Sequence, residues 1–244
     1  DFTGSDPAGP GNLNCPIAVT RSAVYFAVRV AIEPDIPASA GAFAPVTIIA
    51  PEGSVVNARP PSAVAAGNVE GSSRITDAVM GALSGATDVP AQGQGTMNNL
   101  TLGFPGRVYF ETLGGGQGAS PRGNGPDAVH VTMSNTLNTP VEALEVAMPV
   151  RVERYSVRRG SGGTGLHRGG DGVVRRIRLL EDADVSLIAE RRRSAPRGLG
   201  GGSDGTPGST RIDDAPVSGK WRGRISAGSV IEQRTPGGGG HGIA

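Results

Sequence analysis

The chain has 244 residues, and 23 Lys and Arg against 22 Asp and Glu leave a formal net charge of +1. That balance gives no field to attract a run of phosphates, which argues against general nucleic-acid binding. Gly 40 and Pro 19 exclude a helical bundle and a coiled coil, while 37% hydrophobic residues still supply a core.

Lys220 is the only lysine, and Gly219-Lys220 lacks both the earlier Gly and the following Ser or Thr of a phosphate loop. Cys15 is the only cysteine. It cannot close an internal disulfide, which favours a reducing, cytoplasmic setting. No apolar run reaches the roughly 18 residues that cross a bilayer, so no membrane is expected. The chain opens at Asp1 rather than Met, which we read as processing or as part of a longer polypeptide.

In chain order, Pro16 sits at a helix start and an apolar periodicity predicts a helix from Ile17 to Ile32, stopped by Pro34 and Pro37. Pro45 to Ala50 reads as a short strand before the Pro51-Glu52-Gly53 turn. Residues 57–68 read as an ordered loop. A second helix is expected from about Glu70 to Leu83. Residues 92–139 read as loops rich in amides and glycines, interrupted by strands at about Arg107–Leu113 and Val129–Met133. Thr139-Pro140-Val141-Glu142 has the form of a capping box, with Thr139 accepting a backbone N–H and Glu142 reaching back. A short helix follows and stops before Pro149. Strands are expected over Val150–Val157, Gly172–Leu180, Asp184–Ala189, Lys220–Ile225 and Ser229–Arg234. The fold class is therefore α+β, with a mixed α/β portion over 1–149 and a β-rich, Gly-rich portion over 150–244.

The chemical signals are uneven. Gly160-Ser161-Gly162-Gly163-Thr164-Gly165 matches a dinucleotide fingerprint, but strands flank it and no helix follows, so it predicts no cofactor. His130, His167 and His241 lie far apart with no Cys or carboxylate at metal spacing, so no complete metal site is expected within the chain. Cys15 lacks an adjacent base and reads as structural. Arg191, Arg192, Arg193 and Arg197 read as a strand-end edge. The closing run of glycines, Gly237 to Gly240, reads as a tail or a close backbone packing site.

The amide-rich loops are the strongest functional lead. Asn68, Glu70, Gln94, Asn98, Asn99, Glu111, Gln117, Asn135 and Asn138 all neighbour Gly, Thr or Pro. Loops of this kind can converge to hydrogen-bond a small polar substrate, with Glu70 or Glu111 supplying acid–base capacity.

Several strings in order along the chain are those of a known family. Asp1-Phe2-Thr3-Gly4-Ser5, Gly11-Asn12-Leu13-Asn14, Ala66-Gly67-Asn68-Val69-Glu70, Gln94-Gly95-Thr96-Met97-Asn98-Asn99, Asn135-Thr136-Leu137-Asn138-Thr139-Pro140-Val141-Glu142 and Thr235-Pro236-Gly237-Gly238-Gly239-Gly240 resemble the hydantoinase B family. That family includes the B part of 5-oxoprolinase, N-methylhydantoinase B and a subunit type of acetone and acetophenone carboxylases. The resemblance implies a subunit, or the C-terminal part of one, in an ATP-dependent cyclic-amide hydrolase complex. It implies ATP with Mg2+ on a hydantoinase A-like partner, which phosphorylates the amide oxygen of a small cyclic substrate. It also implies a further region before the Asp-Phe-Thr-Gly string, absent here, which holds the divalent metal, zinc or manganese. This chain then binds no cofactor alone and contributes Glu70, Glu111 and His130 to catalysis and Asn68, Asn98, Asn99, Gln117 and Asn138 to substrate binding. The alternatives are a ketone carboxylase subunit and a non-catalytic scaffold.

Overall fold

A computed structural model describes residues 1–32, 37 and 39–244. The expected helix stop at Pro34 lies outside the described residues. The chain divides into two compact units, Asp1–Val89 and Pro90–Ala244, rather than at the change of pattern near residue 150. The reason is backbone pairing: Gln92 donates to the Arg197 carbonyl, and residues 99–103 pair with residues 184–188, so the amide-rich stretch belongs with the β-rich half.

The first unit is built on α1 (Ile17–Ala31) and α2 (Ser72–Leu83). Thr20, Ala23, Val24, Ala27 and Ala31 fall on the buried stripe of α1, at the spacing that keeps one face of a helix inward. Ile75 of α2 joins Cys15, Ala23, Val24 and Val56 in the core. Burial pushes the Cys15 thiol up to about 11, so it stays protonated and inert. A π-helical turn, Gly67–Gly71, leads into α2. Two glycines permit it. A Cβ on Gly67 would stand 2.1 Å from the Asn14 carbonyl oxygen, and one on Gly71 would stand 2.3 Å from the Cys15 Sγ. Residues 46–50 are not a paired strand; they run beside the N-terminus, where the Phe2 N–H donates to the Ile49 carbonyl at 2.8 Å.

The second unit contains two antiparallel sheets. The first has strand order β2-β1-β5-β8, from β1 (Asn99–Phe104), β2 (Arg107–Glu111), β5 (Ala183–Ile188) and β8 (Lys220–Ile225). The second has order β3-β4-β9-β6-β7, from β3 (Val150–Arg158), β4 (Gly172–Leu179), β6 (Ser209–Ile212), β7 (Ala215–Val217) and β9 (Val230–Arg234). Their inner faces share one core, where Leu100, Leu102, Val185 and Leu187 of one sheet meet Val150, Ile177, Leu179 and Ile231 of the other. The short helix α3 (Val141–Ala147) adds Leu144.

Two expectations change here. The capping box does not form: Pro140 is the N-cap residue of α3 and no side chain caps it. The Thr139 hydroxyl instead hydrogen-bonds Tyr109. The strand expected over Val129–Met133 is reduced to a single bridge between Val129 and Gly115. Ala128 and Thr132 take φ of 57° and 53°, which breaks the extended run.

The glycine-rich segments form neither tail nor sheet. They pack around the run Pro236–Gly242 with a repeat of three residues. Gly237 and Gly240 donate to Thr206 and Ser203 of one neighbouring segment at 3.1 and 2.9 Å. Gly238 and His241 donate to Gly170 and His167 of a second, both at 2.8 Å. The carbonyls of Pro236 and Gly239 accept from Gly116 and Ala119 of a third, both at 2.9 Å. This is the periodicity of a polyproline II helix, three residues per turn, with its backbone groups satisfied by neighbouring chains. The approach is too close for side chains. A Cβ on Gly238 would stand 2.0 Å from the Gln117 carbonyl oxygen, and one on Gly170 would stand 1.8 Å from that of Pro126.

Candidate functional site

The inner row of the second sheet carries polar residues where its neighbours carry Ile and Leu. Along β4, residues 175, 177 and 179 point inward by the two-residue alternation of a strand, which buries Arg175 beside Ile177 and Leu179. Arg175 is 1% exposed. Facing it, Glu111 at the end of β2 accepts from Arg175 Nε at 3.4 Å and Nη2 at 3.2 Å. The Tyr109 hydroxyl donates to the same carboxylate at 2.9 Å. Burial, then the negative charge of Glu111, pushes the Tyr109 phenol up to about 12, so it remains a donor.

From this buried pair a line of contacts runs outward. The Arg175 guanidinium lies 4.6 Å from the centroid of the Tyr155 ring, a cation–π distance. The Tyr155 hydroxyl donates to Asn138 Oδ1 at 2.8 Å, and Asn138 Nδ2 donates to the Thr112 carbonyl at 2.8 Å. The Thr112 hydroxyl meets that of Thr136. Thr136 in turn meets His130 Nε2 at 3.0 Å, and Ser134 meets His130 Nδ1 at 3.1 Å. Burial pushes the half-buried His130 below the usual histidine range, which favours a neutral ring that can take a proton.

A second cluster gathers the amides around residue 98. Asn98 adopts φ 49°, and its Nδ2 donates to Gln94 Oε1 at 2.7 Å. Arg192 Nη2 donates to Asn98 Oδ1 at 2.9 Å, and Asn99 Nδ2 donates to the Ile188 carbonyl at 3.0 Å. Arg191 Nη2 donates to Gln92 Oε1 at 2.7 Å. These arginines therefore fasten loops rather than form a free edge. Gln117 belongs to the glycine layer through its backbone, which accepts from Gly170 at 2.8 Å.

The expected site residues thus fall into separate groups. Glu111, Asn138 and His130 share one continuous line of contacts. Asn98 and Asn99 sit in the buried amide cluster, and Gln117 is half-buried in the glycine layer. Asn68 and Glu70 belong to the first unit, where Asn68 is exposed and Glu70 is 2% exposed within the π-helical turn. Sequence reasoning missed Arg175, Tyr155 and Tyr109, and read Arg192 only as part of a strand-end edge. The signal for Arg175 was present in the alternation Arg175-Arg176-Ile177-Arg178-Leu179, which places a charge in phase with two core residues.

The dinucleotide-like loop is already filled from within. Asp171 Oδ1 accepts from the backbone of Ser161 and Gly162, both at 2.8 Å, and its Oδ2 accepts from Gly160 at 3.1 Å. A carboxylate of the chain occupies the anion position of that loop. The Gly237 to Gly240 N–H groups are likewise consumed by carbonyls. Among the described residues, no group of three or more His, Cys, Asp and Glu side chains is arranged to hold a metal ion, and no helix is long and apolar enough to cross a membrane.

The family described as Hydantoinase B/oxoprolinase matches residues 1–244. The chain is 42% identical over 247 residues to 5-oxoprolinase 1 of Arabidopsis thaliana, covering 99% of this chain and 19% of that protein. It is 39% identical over 266 residues to a 5-oxoprolinase of Saccharomyces cerevisiae, covering 99% and 20%. The chain therefore spans about a fifth of the length of these relatives. Among solved structures it superposes on an ATP-dependent caprolactamase from Pseudomonas jessenii with a TM-score of 0.81 at 23% identity, over 98% of this chain and 45% of that one. It superposes on nucleotide-free acetone carboxylase with a TM-score of 0.72 at 16% identity, over 95% and 38%. These two likenesses establish a shared fold.

Proposed function

Because the chain belongs to the hydantoinase B/oxoprolinase family, we propose that it forms part of the B-type half of an ATP-dependent hydrolase that opens a cyclic amide, such as a hydantoin, 5-oxoproline or a related lactam. The observation that carries this reading is the match over the whole chain to proteins named as 5-oxoprolinases, at 42% identity in the Arabidopsis thaliana case. In this reading ATP with Mg2+ sits on a hydantoinase A-like partner and supplies the phosphoryl group that makes the ring carbonyl carbon a better electrophile. Among the described residues no group of three or more His, Cys, Asp and Glu side chains is arranged to hold a metal ion, and in this reading the zinc or manganese sits on polypeptide outside these residues.

The contribution of this chain is polar and positional. His130, half-buried and with a depressed pKa, is the group to accept a proton from attacking water once the water replaces Thr136 at Nε2. Asn138 uses one amide hydrogen on Thr112 and one lone-pair direction on Tyr155, and keeps one of each for a ring amide. Both oxygens of Glu111 are engaged. Its part is to fix Arg175, through Arg175 the Tyr155 ring, and through Tyr155 the Asn138 amide. Acid–base work in the first unit falls to Glu70. Asn68 and Gln117 offer the more open contacts, while Asn98 and Asn99 shape a buried wall.

The test uses the intact protein purified with its ATP-binding partner. ATP hydrolysis coupled to ring opening of 5-oxoproline or a hydantoin supports the reading. Carboxylation of a ketone with bicarbonate, without amide hydrolysis, replaces it with the carboxylase alternative that the acetone carboxylase fold brings to mind. Unchanged turnover in both Glu70→Gln and His130→Gln complexes, with assembly intact, reduces the chain to a scaffold.

A further inference from the structure

The fold brings together two histidines that are 74 positions apart in the numbering, His167 and His241. They form an antiparallel bridge. The His167 N–H donates to the His241 carbonyl at 2.9 Å, and the His241 N–H donates to the His167 carbonyl at 2.8 Å. Residues that exchange both backbone bonds in this way stand directly opposite each other, with Cβ atoms on the same face. The backbone thus holds two imidazoles side by side on one surface.

That surface is open. His167 and His241 are both half-exposed. Neither ring nitrogen hydrogen-bonds within the described residues. Gly200 lies under the His241 ring, where even an added Cβ would stand 3.4 Å from Cε1 and 3.7 Å from Nε2. The left-handed φ of 59° at Gly200 favours glycine at this point, which keeps a side chain out of the space beside the imidazole.

We propose that His167 and His241 form a two-imidazole surface site for a divalent transition metal of the zinc, copper or nickel type. Neutral imidazole is a preferred ligand of these ions, and water completes the coordination shell of a zinc held by two protein ligands. Each ring presents an unprotonated nitrogen to the ion when it binds. An ion there would tie the run Pro236–Gly242 to the segment around residue 167, along the edge of the glycine layer. The site is separate from the His130 line of contacts and does not depend on the reaction proposed above.

The test is site-resolved. The intact protein is modified with diethyl pyrocarbonate with and without Zn2+, and the carbethoxylated peptides are quantified by mass spectrometry. We expect Zn2+ to suppress labelling of His167 and of His241 severalfold while His130 labelling is unchanged. His241→Gln should abolish the protection of His167, and His167→Gln that of His241. Equal labelling with and without Zn2+, equal suppression at His130, or protection of either ring that survives loss of the other overturns the proposal. Both side chains are half-exposed, so the variants should keep the fold, and circular dichroism checks it.

Discussion

Replacing Gly238 by Ala tests the glycine layer most directly. The new methyl group would stand 2.0 Å from the Gln117 carbonyl oxygen and 2.3 Å from its carbon, where no flexible side chain can move aside. Relief requires the backbone to shift, and that shift strains two bonds of Gly238. Its N–H donates to Gly170 and its carbonyl accepts from Gly163, both at 2.8 Å. Overpacking of a tight interior costs about 1–3 kcal/mol, and each weakened backbone bond about 1 kcal/mol more. The expected loss is therefore about 3–5 kcal/mol, a large part of the 5–15 kcal/mol that typically holds a domain together. Gly123→Ala is the matched control in the same unit, because a Cβ there meets nothing within 4 Å; it should change stability by no more than ~0.5 kcal/mol. Urea unfolding of the two variants beside the parent protein measures both. A Gly238→Ala midpoint within error of the Gly123→Ala midpoint would refute the packing argument.

Three further outcomes are expected. Glu111→Gln removes the charge facing Arg175 while both side chains are almost fully buried, and should cost about 3–5 kcal/mol in denaturant unfolding; the pair Glu111→Gln with Arg175→Met should recover most of that loss, and no recovery would count against the ion pair as the cause. Asp171→Asn weakens three backbone bonds from residues 160–162, at about 1.5–3 kcal/mol, and should accelerate amide hydrogen exchange at those residues, while unchanged protection would refute the carboxylate's role. His130 has a depressed pKa in the folded state, so below about 6.5 the unfolded chain binds the extra proton more readily and stability falls as the pH drops; His130→Gln should flatten that acid limb, and an identical slope in the variant would exclude His130 as its source.

The strands were legible wherever apolar residues alternate. Gly172–Leu179, Lys220–Ile225 and Val230–Arg234 lie within a residue or so of their expected bounds. The strand Asn99–Phe104 carries the same alternation in Leu100, Leu102 and Phe104, but Asn98, Asn99 and the neighbouring glycines masked it as loop. The hairpin of β6 and β7 turns on Asp213 and Asp214, at φ 47° and 62°, a left-handed turn that Asp adopts less readily than Asn-Gly. Within the candidate site, Glu111 and Asn138 stood out as polar residues beside Gly, Thr or Pro, and His130 came with the family resemblance, yet their connector Arg175 did not. An arginine in a run of arginines reads as solvated surface until a strand of the other sheet places a carboxylate opposite it. The glycine layer was least legible. Composition reports only the absence of side chains, and the same absence permits either loose chain or close backbone packing.

The threefold winding of the closing glycine run makes chain length a reading frame. The N–H groups of Gly237 and Gly240 face residues 203–206, and those of Gly238 and His241 face residues 167–170, a return after three positions. Dropping or adding one residue between Pro236 and Gly242 would turn these later donors by a third of a revolution, away from the carbonyls they now meet. Three residues could be lost or gained and leave the remaining donors in phase. Sequence drift in this stretch is thus constrained by arithmetic as well as by the smallness of its residues.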